Sequence, residues 1–139
     1  MKALLALSAM TTAAMAGLSP AAATASADPA YSPPFIDHTQ WTQWQRLTSL
    51  RVFPTPSGRA AARQPGGDAA ADEAWTEVLA KSPNADTPGM RAQFFCHWQL
   101  AELVQPGKPS WNLEPWRPVV DDAEMTATGC NPGGPEEQF

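Results

Sequence analysis

The chain has 139 residues, with 15 Pro, six Trp and a formal net charge of −5 at neutral pH. That length suits one domain, and proline at that density interrupts long helices, which excludes a coiled coil or a long-helix bundle. The acidic balance argues against a basic patch for long nucleic acid or anionic membrane, and six Trp are too much aromatic mass for a disordered chain.

Residues 1–27 read as a secretory signal peptide. Lys2 supplies the positive end, residues 3–18 form an uncharged apolar run, and Ala25-Ser26-Ala27 gives the small-x-small pattern that places the cut before Asp28. The apolar run is rich in Ala, Thr and Ser, which is thin for a permanent span, so no transmembrane segment is expected in the mature chain. No Cys lies in the segment to carry a lipid anchor. The mature protein is therefore expected to be secreted or held in the cell envelope. Beyond residue 27 the chain holds only 14 Ile, Leu, Val and Met residues against six Trp, five Phe and one Tyr. Its core must then be largely aromatic.

Residues 28–34 form a Pro- and Ala-containing leader expected to be flexible. The ordered domain begins at Phe35, with an extended stretch or a turn of helix through residue 44. Leu50-Arg51-Val52-Phe53 has strand character, ended by Pro54 and Pro56 and followed by a Ser57-Gly58 turn signal. Asp68 is placed to cap a helix over 69–81, with Ala71, Trp75, Val78 and Leu79 on one face. Thr87 and Pro88 announce a second helix, with Met90, Phe94, His97, Trp98 and Ala101 at helical spacing. Residues 108–118 are Pro-punctuated and extended, excluded from the middle of a sheet. Residues 125–128 are expected to form a last short strand. Residues 134–139 read as a flexible tail with no core role. The expected fold class is α+β: two helices packed on a small, antiparallel sheet in a single domain over residues 35–133.

Cys96 and Cys130 both follow the cut, and a pair of Cys in an exported chain most simply forms a disulfide. That pairing removes the thiolate a Cys96-His97 nucleophile would need. Two chemical readings remain. Trp111, Asn112, Glu114, Trp116 and Arg117 mix flat aromatic faces with hydrogen-bonding groups, a mixture suited to ligand binding, although aromatic burial in a small core is the commoner use. Alternatively, His97 or His38, with Glu114 and Arg117 or with Asp37, could supply the acid, base and anion-stabilising group of a small secreted hydrolase. No Gly-rich phosphate loop, Gly-x-Ser-x-Gly elbow or compact metal-ligand spacing occurs, so neither a cofactor nor a metal is expected. The balance favours a non-enzymatic binding or interaction module whose partner is an envelope component or a protein.

The runs Ile36-Asp37-His38-x-x-Trp41, Leu50-Arg51-Val52-Phe53-Pro54-Thr55 and Met90-Arg91-x-Gln93-Phe94-x-Cys96-His97 resemble those of an exported actinobacterial family. So do Trp111-Asn112-Leu113-Glu114-Pro115-Trp116-Arg117-Pro118 and Gly129-Cys130-Asn131-Pro132-Gly133. The resemblance is to the domain-of-unknown-function family 2599 and spans about residues 35–133. It implies domain limits and export, and carries no activity with it.

Overall fold

A computed structural model of the chain describes Gly17 and residues 31–136. The expected signal peptide, Gly17 apart, the first leader residues Asp28, Pro29 and Ala30, and Glu137, Gln138 and Phe139 of the expected tail lie outside the described residues.

Strands β1 (Ile36–Trp44) and β2 (Leu47–Pro54) form an antiparallel hairpin. Its turn is Gln45-Arg46, with φ of 48° and 66°, positive at both positions as in a type I′ two-residue hairpin loop. Neither residue is a Gly or Asn, so the turn carried no signature in the sequence. Helices α1 (Pro56–Ala62), α2 (Asp68–Lys81) and α3 (Met90–Val104) follow, with a short 3-10 turn at Pro83–Ala85 before α3. Strand β3 (Trp111–Leu113) then pairs antiparallel with β2, Leu50 opposite Leu113 and Val52 opposite Trp111. The sheet order is β1-β2-β3, so β3 is an edge strand, the place its flanking prolines allow. Helix α4 (Asp122–Ala127) closes the series. This is the expected α+β fold, with α2 and α3 as its two main helices. Among the described residues no helix is long and apolar enough to cross a membrane.

Four local expectations change. Pro56 and Gly58 do not end a strand in a turn; they open α1. Pro56 sits in its first turn, where a missing N–H costs nothing, and Thr55 caps it by accepting from the Gly58 amide at 2.9 Å. Gly58 is buried where the chain crosses Phe35, and a Cβ there would collide with the Phe35 carbonyl. Asp68 is the first residue of α2 rather than its cap, and acts there on the positive end of the helix dipole. Helix α3 begins at Met90, two residues after Pro88, because Gly89 takes a left-handed φ of 87° and breaks the helical run. Finally, residues 125–128 are not a strand: Met125 and its neighbours belong to α4. Asp121 caps that helix by accepting from the Glu124 amide at 2.8 Å, and Asp122 and Glu124 add negative charge to its first turn.

The main core lies between the sheet and α1–α3 and is aromatic. Phe94 is fully buried, with ring centroids of Trp75, Trp98 and Trp111 at 5.6, 6.2 and 6.1 Å. Phe35 meets Trp98 edge-on at 5.8 Å. Every residue of the α3 stripe read from spacing is buried. Glu102 fastens α1 to α3: its buried carboxylate accepts from Arg59 at 2.6 Å, from Arg63 at 2.8 Å and from the Gly107 amide. A second, smaller cluster holds Cys96, Met125 and Cys130, with Ala92, Leu100 and Val120 against it. Cys96 and Cys130 form the disulfide, with Cα atoms 5.6 Å apart.

Candidate functional site

Strand β3 and the chain after it carry the residues that the Trp-rich run singled out. Trp111 is fully buried in the aromatic core and offers no face to solvent. Glu114 is also buried. Its Oε1 accepts from the Ser49 hydroxyl at 3.2 Å and its Oε2 from Arg117 Nε at 3.1 Å. Gln93 on α3 clamps the Glu114 backbone from both sides, donating to its carbonyl at 2.9 Å and accepting from its amide at 2.8 Å. The remaining guanidinium donors of Arg117 reach the carbonyls of Pro132, Gly134 and Pro135 at 3.1–3.2 Å. Its plane lies over the half-buried Trp116 ring, 4.4 Å from the centroid. Asn112 accepts from Ser110 at 2.7 Å.

The structure therefore brings Glu114, Trp116 and Arg117 together as an internal cross-link between β2, α3 and the C-terminal arm, while Asn112 bonds to Ser110 and reaches α3 through its backbone carbonyl. A buried carboxylate and guanidinium need such partners, since leaving either unmatched is costly. Sequence reasoning missed Ser49 and Gln93. Gln93 did leave a signal, a polar residue on the apolar stripe of α3, three positions after Met90.

The two histidines have opposite fates. His97 is buried, and its Nε2 donates to the Asn112 carbonyl at 3.0 Å, which makes the ring the neutral Nε2–H tautomer. Burial first, then the charges of Lys108 and Arg117, push its pKa down to about 3 against the opposing Asn112 hydrogen bond. It is held neutral, with its one proton committed to a backbone carbonyl. His38 is exposed, stacked on Phe53 at 4.1 Å, with Nδ1 2.5 Å from Asp37 Oδ2. A register irregularity between Ile36 and His38 lets these consecutive side chains meet. Since β1 and β3 are opposite edges of the sheet, Asp37 and His38 do not join Glu114 and Arg117 in one constellation.

An open cleft of about 310 Å³ lies beside the disulfide, a volume at the low end for small-molecule sites. Leu100, Ala101 and Val104 of α3 line it together with Cys130, and Lys108 and Glu136 are its ion pair. His97 also reaches it. Lys108 is 6% exposed, and burial pushes its ammonium below the usual lysine range, with the Glu114 charge opposing that shift. Val104 is 79% exposed, so the apolar wall continues onto the surface. A larger cleft of about 460 Å³ lies between α3 and α4, lined by Arg91 and Phe95 on one side and Asp122 and Met125 on the other. The smaller one is the better candidate because an apolar wall there converges on a buried cation.

These features define a small α+β domain whose C-terminal arm is fastened to a helix by one disulfide. The chain belongs to the family described as "Protein of unknown function (DUF2599)", whose model matches residues 36–133. It is 61% identical over 149 aligned positions to the "Uncharacterized protein Rv0477" of Mycobacterium tuberculosis (strain ATCC 25618 / H37Rv), both chains being covered in full. The same figures hold for the "Uncharacterized protein Mb0487" of Mycobacterium bovis (strain ATCC BAA-935 / AF2122/97). With the "Uncharacterized protein ML2452" of Mycobacterium leprae (strain TN) it shares 58% identity, over 76% of this chain and 85% of that protein. No solved structure matches the chain.

Proposed function

We propose that the protein is exported, is cut before Asp28, and acts outside the cytoplasm as a non-enzymatic binding module, with the cleft beside the disulfide as its ligand site. One observation carries this reading. The groups best suited to catalysis are engaged within the fold, Glu114 by Ser49 and Arg117, Arg117 by three backbone carbonyls, and His97 by Asn112. Each of these groups serves the fold through those bonds, and none is presented with a free acid–base partner beside it. The Cys96–Cys130 disulfide supports an oxidising compartment. The rival reading, a small secreted hydrolase, retains the exposed Asp37–His38 pair.

Two measurements test the proposal. Intact mass and N-terminal sequence of protein from the culture medium should show Asp28 first; recovery only from cells with residues 1–27 intact overturns export. Methyl and amide NMR spectra recorded with small-molecule extracts of the cell envelope should shift at Leu100 and Val104. Shifts confined to Asp37 and His38 would instead favour the hydrolase.

A further inference from the structure

The cleft combines two things that rarely share a surface: an aliphatic wall and a buried ammonium. Leu100, Ala101 and Val104 supply the wall, and Lys108 the charge. Taking an ammonium out of water requires a nearby anion. Glu136 provides it, pairing with Lys108 while its own side chain remains 35% exposed. The carboxylate arrives on a loop, six residues past Cys130, that is held by Arg117 through backbone carbonyls. No helix or strand fixes it in place. Other groups acting on this position include Glu114, whose charge stabilises the ammonium, the neutral His97, and Arg59, which donates to the Lys108 carbonyl at 2.7 Å.

Resting on the binding-module reading, we propose that the cleft binds an amphipathic monocarboxylate of the free fatty acid class. Its chain lies against Leu100, Ala101 and Val104, and its carboxylate takes the place of Glu136 on Lys108. Glu136 is then an internal stand-in for the ligand's head group. Beyond His97, Lys108 and Glu136 the lining offers Gln105 and Thr126 as polar side chains, fewer than a sugar or nucleotide needs against an aliphatic wall, and polyanions meet an acidic chain. A volume of about 310 Å³ admits one short chain.

Titration of the full chain with octanoate, decanoate, decanol and decylammonium, followed by NMR at Leu100, Val104 and Lys108, tests this. Decanoate is expected to shift all three residues and decylammonium none. Each added methylene should tighten binding roughly fourfold while wall remains to be covered. Glu136→Gln removes the competing anion and should tighten decanoate binding several-fold. Lys108→Met should erase the preference for decanoate over decanol. Equal affinity for decanol and decanoate, or unchanged or weaker binding in Glu136→Gln, overturns the carboxylate ligand and leaves the cleft as a binding site. No shift at Leu100 or Val104 with any probe overturns the cleft as well.

Discussion

The two buried clusters of this domain are held by different physics. The main one is a continuous aromatic core in which Phe94 touches Trp75, Trp98 and Trp111, and it is stabilised by apolar area removed from water. The second has Met125 as its one large buried side chain besides the Cys96–Cys130 pair. The C-terminal arm that builds it brings too little apolar surface to hold itself down. It is fastened instead by a covalent bond, by Arg117 and by the Lys108–Glu136 pair. A chain poor in aliphatics builds one core around its aromatics, and secures the remainder with cross-links.

The sharpest way to break the first cluster is Phe94→Ala, which should cost about 3–5 kcal/mol. Urea unfolding followed by Trp fluorescence and by far-UV circular dichroism should show both signals moving together to a lower midpoint. Separate transitions would show that the aromatic core is not one cooperative unit.

Replacing both Cys96 and Cys130 by Ser removes a closure 34 residues apart in sequence and should cost about 3–4 kcal/mol on the chain-entropy account. Here the loss should be local as well as global. Amide exchange across α4 and residues 128–136 is expected to speed up more than exchange in β1 and β2. A uniform increase would merge the two clusters into a single unit and undo the contrast.

A smaller effect comes from the ring between them. His97 has a folded pKa near 3 against an ordinary value of 6.5, so the unfolded chain takes up its proton first. Its contribution is complete above about pH 6.5 and declines as pH falls toward 3. Between pH 7 and 5 this should lower stability by no more than about 2 kcal/mol. Glu102 acts at lower pH: burial raises its pKa, but hydrogen bonds from Arg59, Arg63 and the Gly107 amide outweigh that and lower it. Its share is lost as pH falls below the ordinary carboxylate value. His97→Gln should therefore flatten the urea midpoint between pH 7 and 5. If variant and parent decline in parallel, the folded ring is not held neutral.

Much of the fold was legible because its signals are local. The stripe from Met90 to Ala101 marked α3, the prolines of residues 108–118 marked an extended stretch kept out of the middle of a sheet, and the shortage of aliphatics foretold buried Trp. Where reading failed, a competing local device won. Gly89 delayed α3, Thr55 turned Pro56 from a stop into a start, and Asp121 drew residues 122–127 into a helix where a strand was expected. The candidate site was legible only as a set of residue types. Asn112, Glu114 and Arg117 were named, but Ser49, Gln93 and the carbonyl of Pro132, which decide what they do, come from distant parts of the chain.

The sequence by itself determined the aromatic core, the main helices and the cysteine pair, since each follows from composition or spacing within a short window. Only the tertiary structure decided that Glu114, Arg117 and His97 face inward and that Lys108 is buried beside an aliphatic cleft. The reason is physical: apolar periodicity is a property of one element, whereas a buried charge is satisfied by partners that folding alone brings within hydrogen-bonding distance.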